Sequence, residues 1–99
     1  MPSIIRHVMV TGRVQGVGYR AWTGDQAILL ALQGWVRNRR DGNVEAVFAG
    51  PQVAVMQMIE MCHRGPPPAR VDHVVVSDAL PDMLKLRSDG ETFSQLTSL

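Results

Sequence analysis

The sequence contains little of what large, membrane-bound or disulfide-stabilised proteins require. Its 99 residues include one cysteine, Cys62, so no disulfide can form within the chain. The longest apolar run, residues 27–32, is six residues long, whereas a membrane-spanning helix needs about 20. Kinase, TIM-barrel and doubly wound dinucleotide-binding folds are too large for this length. We therefore expect a single domain over residues 1–99 in the reducing cytoplasm, with Cys62 as a small buried residue.

The net charge is also small, and aromatic residues are few. Ten Lys and Arg residues oppose nine Asp and Glu residues, which leaves a formal net charge of +1. A local cluster of positive charge remains at Arg37, Arg39 and Arg40, and we interpret it as a solvated turn. Aromatic residues make up 5% of the chain, and the neighbouring strands lack the interleaved aromatics on which RNA-binding domains stack bases. We therefore expect neither a nucleic-acid nor a membrane partner.

Hydrophobic periodicity and turn residues divide the chain into alternating strands and helices. Strands are predicted over residues 3–11, 34–39, 43–49, 69–78 and 92–96, helices over 19–32 and from 52 to the break at 65, and loops over 12–18 and 80–90. Asp41-Gly42 predicts a hairpin with a type I′ turn, whose two central residues need positive φ. The resulting β-α-β-β-α-β order, followed by a weak last strand, predicts an α+β, ferredoxin-like sandwich with two helices on one face of an antiparallel sheet.

The most informative stretch joins the first strand to the first helix and reads TGRVQGVGYR over residues 11–20. Its glycines permit positive φ, and successive amides at the start of a helix can converge into an anion-binding concavity. Arg20 adds a planar cation that matches two phosphate oxygens. Without this arginine, a glycine-rich connection with no ligand would be the better interpretation. With it, the loop predicts a cradle for one phosphate.

Two nucleotide-binding motifs overlap this loop in part. Gly16-x-Gly18-x-x-Ala21 fits the relaxed dinucleotide fingerprint, and Asp41 follows about twenty residues later. The Asp41-Gly42 hairpin contradicts that interpretation, because a dinucleotide-binding unit continues into a parallel sheet. The Walker A pattern fails as well, because no Gly-Lys-Ser/Thr closes the loop. We therefore expect no nucleotide cofactor.

A second informative stretch, GWVRNRRDGNVE, covers residues 34–45. Asn38 lies just before the tight turn, and from its spacing alone it is a turn-flanking residue. The histidines, His7, His63 and His73, are scattered along the chain. They are interpreted as residues on strand or helix surfaces rather than as bases or metal ligands.

Together the two stretches resemble the acylphosphatase family. Its two motifs are matched at nearly every position by GxVQGVGYR over residues 12–20 and by GWVxNxxDGxVE over residues 34–45, and GPPxAxV over residues 65–71 is similar to the family too. The resemblance covers about residues 5–76. It implies the ferredoxin-like fold and hydrolysis of the carboxyl-phosphate bond of acyl phosphates, with no metal and no other cofactor.

The resemblance also implies roles for particular residues. Arg20 matches the arginine that binds the substrate phosphate, and Asn38 matches the asparagine that positions the attacking water. The phosphate-binding loop of the family matches the backbone amides of Gln15, Gly16, Val17, Gly18, Tyr19 and Arg20. The implied partners are a small acyl phosphate and inorganic phosphate as a product inhibitor, and we expect a monomer.

The sequence departs from the family pattern at two places. Leu30-Ala31-Leu32 replaces the usual Leu-Gly-Leu, which predicts a tighter or longer first helix. Phe93-Ser94-Gln95-Leu96 places Gln95 where the family has an apolar residue, at an end of the chain that in the family can lie near the catalytic arginine.

Two other functions remain open from the sequence. One is a non-enzymatic binding module that has retained the fold and the phosphate cradle, against which the intact Arg20 and Asn38 argue. The other is the acylphosphatase-like domain of the large carbamoyl-transferring hydrogenase maturation proteins. Those proteins are long multidomain chains, so a length of 99 residues leads us to expect a free-standing enzyme.

Overall fold

The computed structural model describes residues 3–99, which form one mixed sheet with two α-helices and a short 3₁₀ helix. The elements in chain order are β1 (Ser3–Arg13), α1 (Tyr19–Leu29), β2 (Gln33–Asn38), β3 (Val44–Pro51), α2 (Gln52–Cys62), β4 (Arg70–Asp78), the 3₁₀ helix (Pro81–Leu86) and β5 (Phe93–Gln95). The strand order is β4-β1-β3-β2-β5. The first four strands pair antiparallel, as predicted, and β5 adds a parallel edge beside β2. The predicted ferredoxin-like α+β sandwich is confirmed.

The core lies between one face of the sheet and the two helices. Alternate residues of the central strands, such as Val8 of β1 and Phe48 of β3, are fully buried there. The apolar stripe predicted for α2 is also buried, at Val55, Met58, Ile59 and Cys62. Full burial of an aliphatic side chain contributes about 1.5–3 kcal/mol. The alternate residues of the strands and the helically spaced residues of α2 thus face the same core.

The opposite face of the sheet is covered in part by the segment that was predicted as a loop. Trp35 of β2 is fully buried on this face, and its indole Nε1 donates to the carbonyl of Met83 at 2.7 Å. Met83 belongs to the 3₁₀ helix, which begins at Pro81. The indole of a buried tryptophan needs an acceptor for its N–H. This contact fixes the 3₁₀ helix against the sheet.

The first helix ends at Leu29 rather than at the predicted Leu32. Ala31 follows with a φ of 57°, the only positive φ at a non-glycine among residues 3–99. Its amide donates to Ile28 at 3.0 Å, and the amide of Leu32 donates to Ala27 at 2.9 Å. These are the two hydrogen bonds of a Schellman motif. The expectation of a tighter or longer helix is therefore wrong, because a left-handed residue ends α1 here even though it is not glycine.

The hairpin between β2 and β3 forms where it was predicted, but its turn type is different. The amide of Gly42 donates to Arg39 at 3.2 Å, and the amide of Arg39 donates to Asn43 at 2.9 Å. Gly42 has a φ of 91°, whereas Asp41 has no positive φ. A three-residue loop with one left-handed glycine after a type I turn fits these bonds, so the type I′ expectation is wrong.

The first strand runs two residues further than predicted, to Arg13. Its register with β4 shifts between Thr11 and Gly12. Gly12 has a φ of 134°, and a Cβ there would overlap the carbonyl oxygen of Arg70. The loop that follows therefore begins from a strand end that is paired with β4. None of the helices in residues 3–99 is long and apolar enough to cross a membrane.

Candidate active site

A cavity of about 330 Å³ opens where β1 connects to α1. Its lining residues are Val14, Gln15, Gly16, Gly18, Tyr19, Arg20, Ala21, Asn38 and Gln95. The fold thus brings Arg20 and Asn38, from the two motifs, to one cavity. Of the loop residues predicted at the site, Val17 does not line the cavity, and its side chain packs against the core. Gln95 lines it although the sequence assigned no site role to that residue.

Two glycines shape the loop backbone at the cavity. Gly16 has a φ of 72° and Gly18 a φ of 80°. A Cβ at either position would have no heavy atom within 4 Å. Glycine therefore suits these positions because of their positive φ and not because a side chain would clash. Gly18 is the residue before α1, and its carbonyl accepts the first helical hydrogen bond from Trp22 at 2.9 Å. The turn therefore leads directly into the helix N-terminus.

The amides of this turn form a row of available donors. Among residues 3–99, no backbone carbonyl accepts a hydrogen bond from the N–H groups of residues 15–21. Such orphan donors are expected in the first turn of a helix, and the positive end of the helix dipole lies at the same place. The cavity at this turn can therefore accept an anion with several oxygens, such as phosphate.

Arg20 is half-buried beside these amides. Its Nη1 donates to the carbonyl of Leu96 at 3.1 Å, and the amide of Leu96 in turn donates to Val36 of β2 at 2.8 Å. The C-terminal strand therefore forms and its end orients the guanidinium, despite the polar Gln95. No carboxylate of residues 3–99 lies within 4.0 Å of Arg20. Its positive charge has no anionic protein partner in that part of the chain.

Asn38, the last residue of β2, contributes an unsatisfied acceptor. Its side-chain Oδ1 is buried and has no hydrogen-bond partner among the described residues. The main-chain carbonyl of the same residue accepts from Leu99 at 3.0 Å. A buried polar atom left unpaired costs about 1–3 kcal/mol. A side chain that only flanks a turn gains nothing from a buried, unpaired oxygen. A residue that binds a water or a ligand needs such a free acceptor.

Gln15 fastens the loop to the hairpin that carries Asn38. Its Nε2 donates to the carbonyl of Arg39 at 2.7 Å and to the carbonyl of Asn43 at 2.8 Å. Those two carbonyls stand on either side of the β2–β3 turn. The side-chain amide of Gln15 therefore uses its hydrogen bonds within the protein, and it keeps the glycine loop beside the hairpin strand that ends in Asn38.

Tyr19 turns its side chain away from the cavity and into the core. Its hydroxyl donates to the carbonyl of Cys62 at 2.7 Å, and burial raises the pKa of the phenol above its usual range. Gly65 makes room for the ring, because a Cβ there would lie 2.7 Å from Cε2 of Tyr19. Burial also raises the pKa of the Cys62 thiol to about 12. Cys62 is therefore a buried core residue, as predicted, and Tyr19 has only its backbone available to a ligand.

Two of the three arginines of the second motif, Arg37 and Arg39, are paired, which corrects their interpretation as part of a solvated turn. Glu45 is buried on the face of the sheet away from the helices. It binds His7 Nε2 at 2.7 Å, Arg37 Nε at 2.8 Å and Arg39 Nη1 at 3.2 Å. Burial alone would raise the pKa of this carboxyl, but the hydrogen bonds from His7 and Arg37 outweigh that effect and lower it. Of the three arginines, Arg40 alone is exposed.

The acidic and histidine side chains lie outside the cavity. Glu45 is already bonded to Arg37 and Arg39. Asp41 accepts hydrogen bonds from the side chain of Arg39 and from the amide of Asn43. His63 and His73 are exposed, as expected, whereas His7 is half-buried through its contact with Glu45. In residues 3–99, no group of three or more His, Cys, Asp or Glu side chains is arranged to hold a metal ion.

The fold and the cavity define a small α+β sandwich with a glycine-rich loop at a helix N-terminus. The acylphosphatase family profile matches residues 6–88. An acylphosphatase of Rhodopseudomonas palustris is 59% identical over 99 residues, which is the whole of both chains. The chain therefore belongs to the acylphosphatase family, and the resemblance found in its two motifs is confirmed.

Solved structures agree with this assignment. An acylphosphatase from Coxiella burnetii superposes with a TM-score of 0.82 at 33% identity, over 95% of this chain and 93% of the other. The acylphosphatase from Bacillus subtilis gives a TM-score of 0.80 at 33% identity, over 94% and 98% of the two chains. Both the sequence and the backbone arrangement are thus those of the family.

Proposed function

We propose that this chain hydrolyses the carboxyl-phosphate bond of small acyl phosphates to a carboxylate and inorganic phosphate. The observation that carries the proposal is the convergence of three features on one cavity. These are the amides of residues 15–21, which have no partner in residues 3–99, the cation of Arg20, which has no anionic partner there, and the buried acceptor of Asn38. The names of the related proteins support the same substrate class.

In this proposal the loop amides and Arg20 bind the phosphoryl group. A phosphoryl transition state spreads negative charge over its equatorial oxygens, and catalysis depends mainly on positioning and on charge stabilisation. Donors held in place before the reaction supply that stabilisation without reorganising. Leu96 supports this role because its carbonyl restrains the guanidinium of Arg20 at 3.1 Å. The same donors bind inorganic phosphate, which we expect to inhibit as the product.

Asn38 in turn positions the water. Its Oδ1 accepts a hydrogen bond from the water and directs the oxygen lone pair toward phosphorus. The new P–O bond forms as the bond to the acyl oxygen breaks, and the carboxylate leaves with the electron pair. It is already a stable anion, so no strong general acid is needed. The water proton passes to a phosphate oxygen of the substrate, which is consistent with a cavity lined by no carboxylate and no histidine of residues 3–99.

Arg20→Gln tests this function. Removal of one preorganised donor to a developing anion costs about 100- to 1,000-fold in rate. We expect a loss of that size in benzoyl phosphate hydrolysis and weaker inhibition by inorganic phosphate. Near-normal turnover by the variant would contradict the proposal, and a non-enzymatic binding module would show no turnover even in the wild type. Running both proteins with and without EDTA tests the expected metal independence, which a clear loss of activity would refute.

The cellular setting and assembly are proposed on separate grounds. The single cysteine is buried and unpaired, which suits the reducing cytoplasm. The near-balanced charge of +1 and the complete cavity within one chain suit a monomer. Sedimentation at micromolar concentration tests the monomer, and a stable dimer would overturn it.

A further inference from the structure

Gln95 lines the cavity and has no part in the function proposed above. It is the last residue of β5, and it pairs with Val36 in the parallel register. Phe93, two residues earlier on the same face of the strand, is buried in the core under the helices. The side chain of Gln95 therefore also points toward α1, and it lines the cavity with Arg20 and Asn38.

Gly24 makes the room that this side chain occupies. A Cβ at Gly24 would lie 2.7 Å from Nε2 of Gln95 and 3.1 Å from its Cγ. Glycine inside a helix is unfavourable, and residues four apart share one helix face. Gly24 is thus a helix-weakening residue on the helix face that carries Arg20. The carboxamide of Gln95 packs against it, one turn along α1 from Arg20.

The carboxamide of Gln95 is available to a ligand. No hydrogen bond within residues 3–99 uses it. The cavity already provides the phosphoryl group with a row of amides and a guanidinium. The acyl carbonyl is the other polar group of an acyl phosphate, and it lies one bond beyond the bridging oxygen.

We propose that Gln95 donates from Nε2 to the acyl carbonyl oxygen of the bound substrate and so selects acyl phosphates over other phosphate compounds. This inference rests on the proposed function. The carbonyl oxygen becomes part of the leaving carboxylate and gains negative charge as the P–O bond breaks. A donor at this oxygen therefore binds the transition state more tightly than the substrate.

Two variants remove this contact from opposite sides. Gln95→Ala deletes the carboxamide, whereas Gly24→Ala leaves every cavity side chain unchanged and displaces the carboxamide with one methyl group. A neutral hydrogen bond corresponds to about a two- to tenfold effect. We expect kcat/KM for benzoyl phosphate to fall by that factor in each variant, with no further fall in the double variant.

Inhibitors without a carbonyl give the matched control. Inorganic phosphate carries the phosphoryl group alone and phenyl phosphate carries it on a phenolic oxygen, so their inhibition constants should stay within about twofold of the wild type. A parallel rise in the phosphate inhibition constant would show that Gln95 binds the phosphoryl group instead. Unchanged kcat/KM in Gly24→Ala or in Gln95→Ala would also overturn the inference.

Failure of the proposed function gives a different result. Suppose that the wild type hydrolyses benzoyl phosphate and Arg20→Gln does not. An unchanged kcat/KM in Gln95→Ala then refutes only the contact with the acyl carbonyl. If the wild type itself shows no hydrolysis, both proposals fail. Thermal unfolding of each variant identifies one that does not fold, and the other single variant then decides the inference.

Discussion

Ala31 provides a measurable test of how α1 ends. It adopts a φ of 57° at the C′ position of a Schellman motif. The left-handed conformation costs a residue with a Cβ about 1–2 kcal/mol, whereas glycine adopts it freely. Glycine also gains unfolded-state entropy, which offsets about 0.4–1 kcal/mol of that relief. We therefore expect Ala31→Gly to raise the free energy of unfolding by about 0.5–1 kcal/mol.

Urea and thermal unfolding measure this gain. For a domain of this size, 1 kcal/mol corresponds to about 4–8 °C, so the expected rise in Tm is about 2–8 °C. Ala31 is exposed, and α1 is 11 residues long, which places Ala31 about 15 Å from Arg20 along the helix axis. The activity should therefore not change.

A series at this position separates the conformational cause from other effects. Asparagine tolerates the left-handed region, so Ala31→Asn should be near neutral or slightly stabilising, whereas the β-branched Ala31→Val should destabilise. Glycine, asparagine, alanine and valine should thus fall in that order of stability. A decrease in stability for Ala31→Gly, or a valine variant as stable as the wild type, would refute the reasoning.

Two further predictions concern the site and its support. Asn38→Ala should lower kcat for benzoyl phosphate far more than it weakens inhibition by inorganic phosphate, and equal losses in both would mean that Asn38 binds substrate rather than water. Glu45 has a lowered pKa in the folded state, so its contribution to stability is complete above the ordinary glutamate pKa of about 4.3 and is lost as pH falls through the folded value. Glu45→Gln should therefore flatten the acid limb of a stability-against-pH curve, and an unchanged acid limb would refute that role.

Much of the fold follows from local signals. Apolar spacing located α2, and Asp41-Gly42 located the hairpin, because each signal depends only on neighbours in the chain. The turn type was wrong, since Arg40 and Asp41 keep negative φ when a third residue joins the loop. The 3₁₀ helix was missed because its position depends on the indole of Trp35, which lies 48 residues away.

At the candidate site, too, local signals identify some residues and miss others. The glycine loop and Arg20 are visible in the sequence because they are contiguous, and the family resemblance added Asn38. Gln95 was visible only as a polar residue at an apolar position. Nothing local linked it to Gly24, and the hydrogen bond from Arg20 to Leu96 spans 76 residues.

The sequence by itself predicted the order of the strands and α-helices, the α+β class and the residues proposed to bind a phosphoryl group. Their chemistry and short-range spacing carry that information. Only the tertiary structure decided how these residues meet. The end of β5 orients Arg20, Gln15 joins the loop to the hairpin, and the Oδ1 of Asn38 is left buried without a partner in residues 3–99. Each of these contacts depends on strand order and register, which bring distant segments together and which no local pattern encodes.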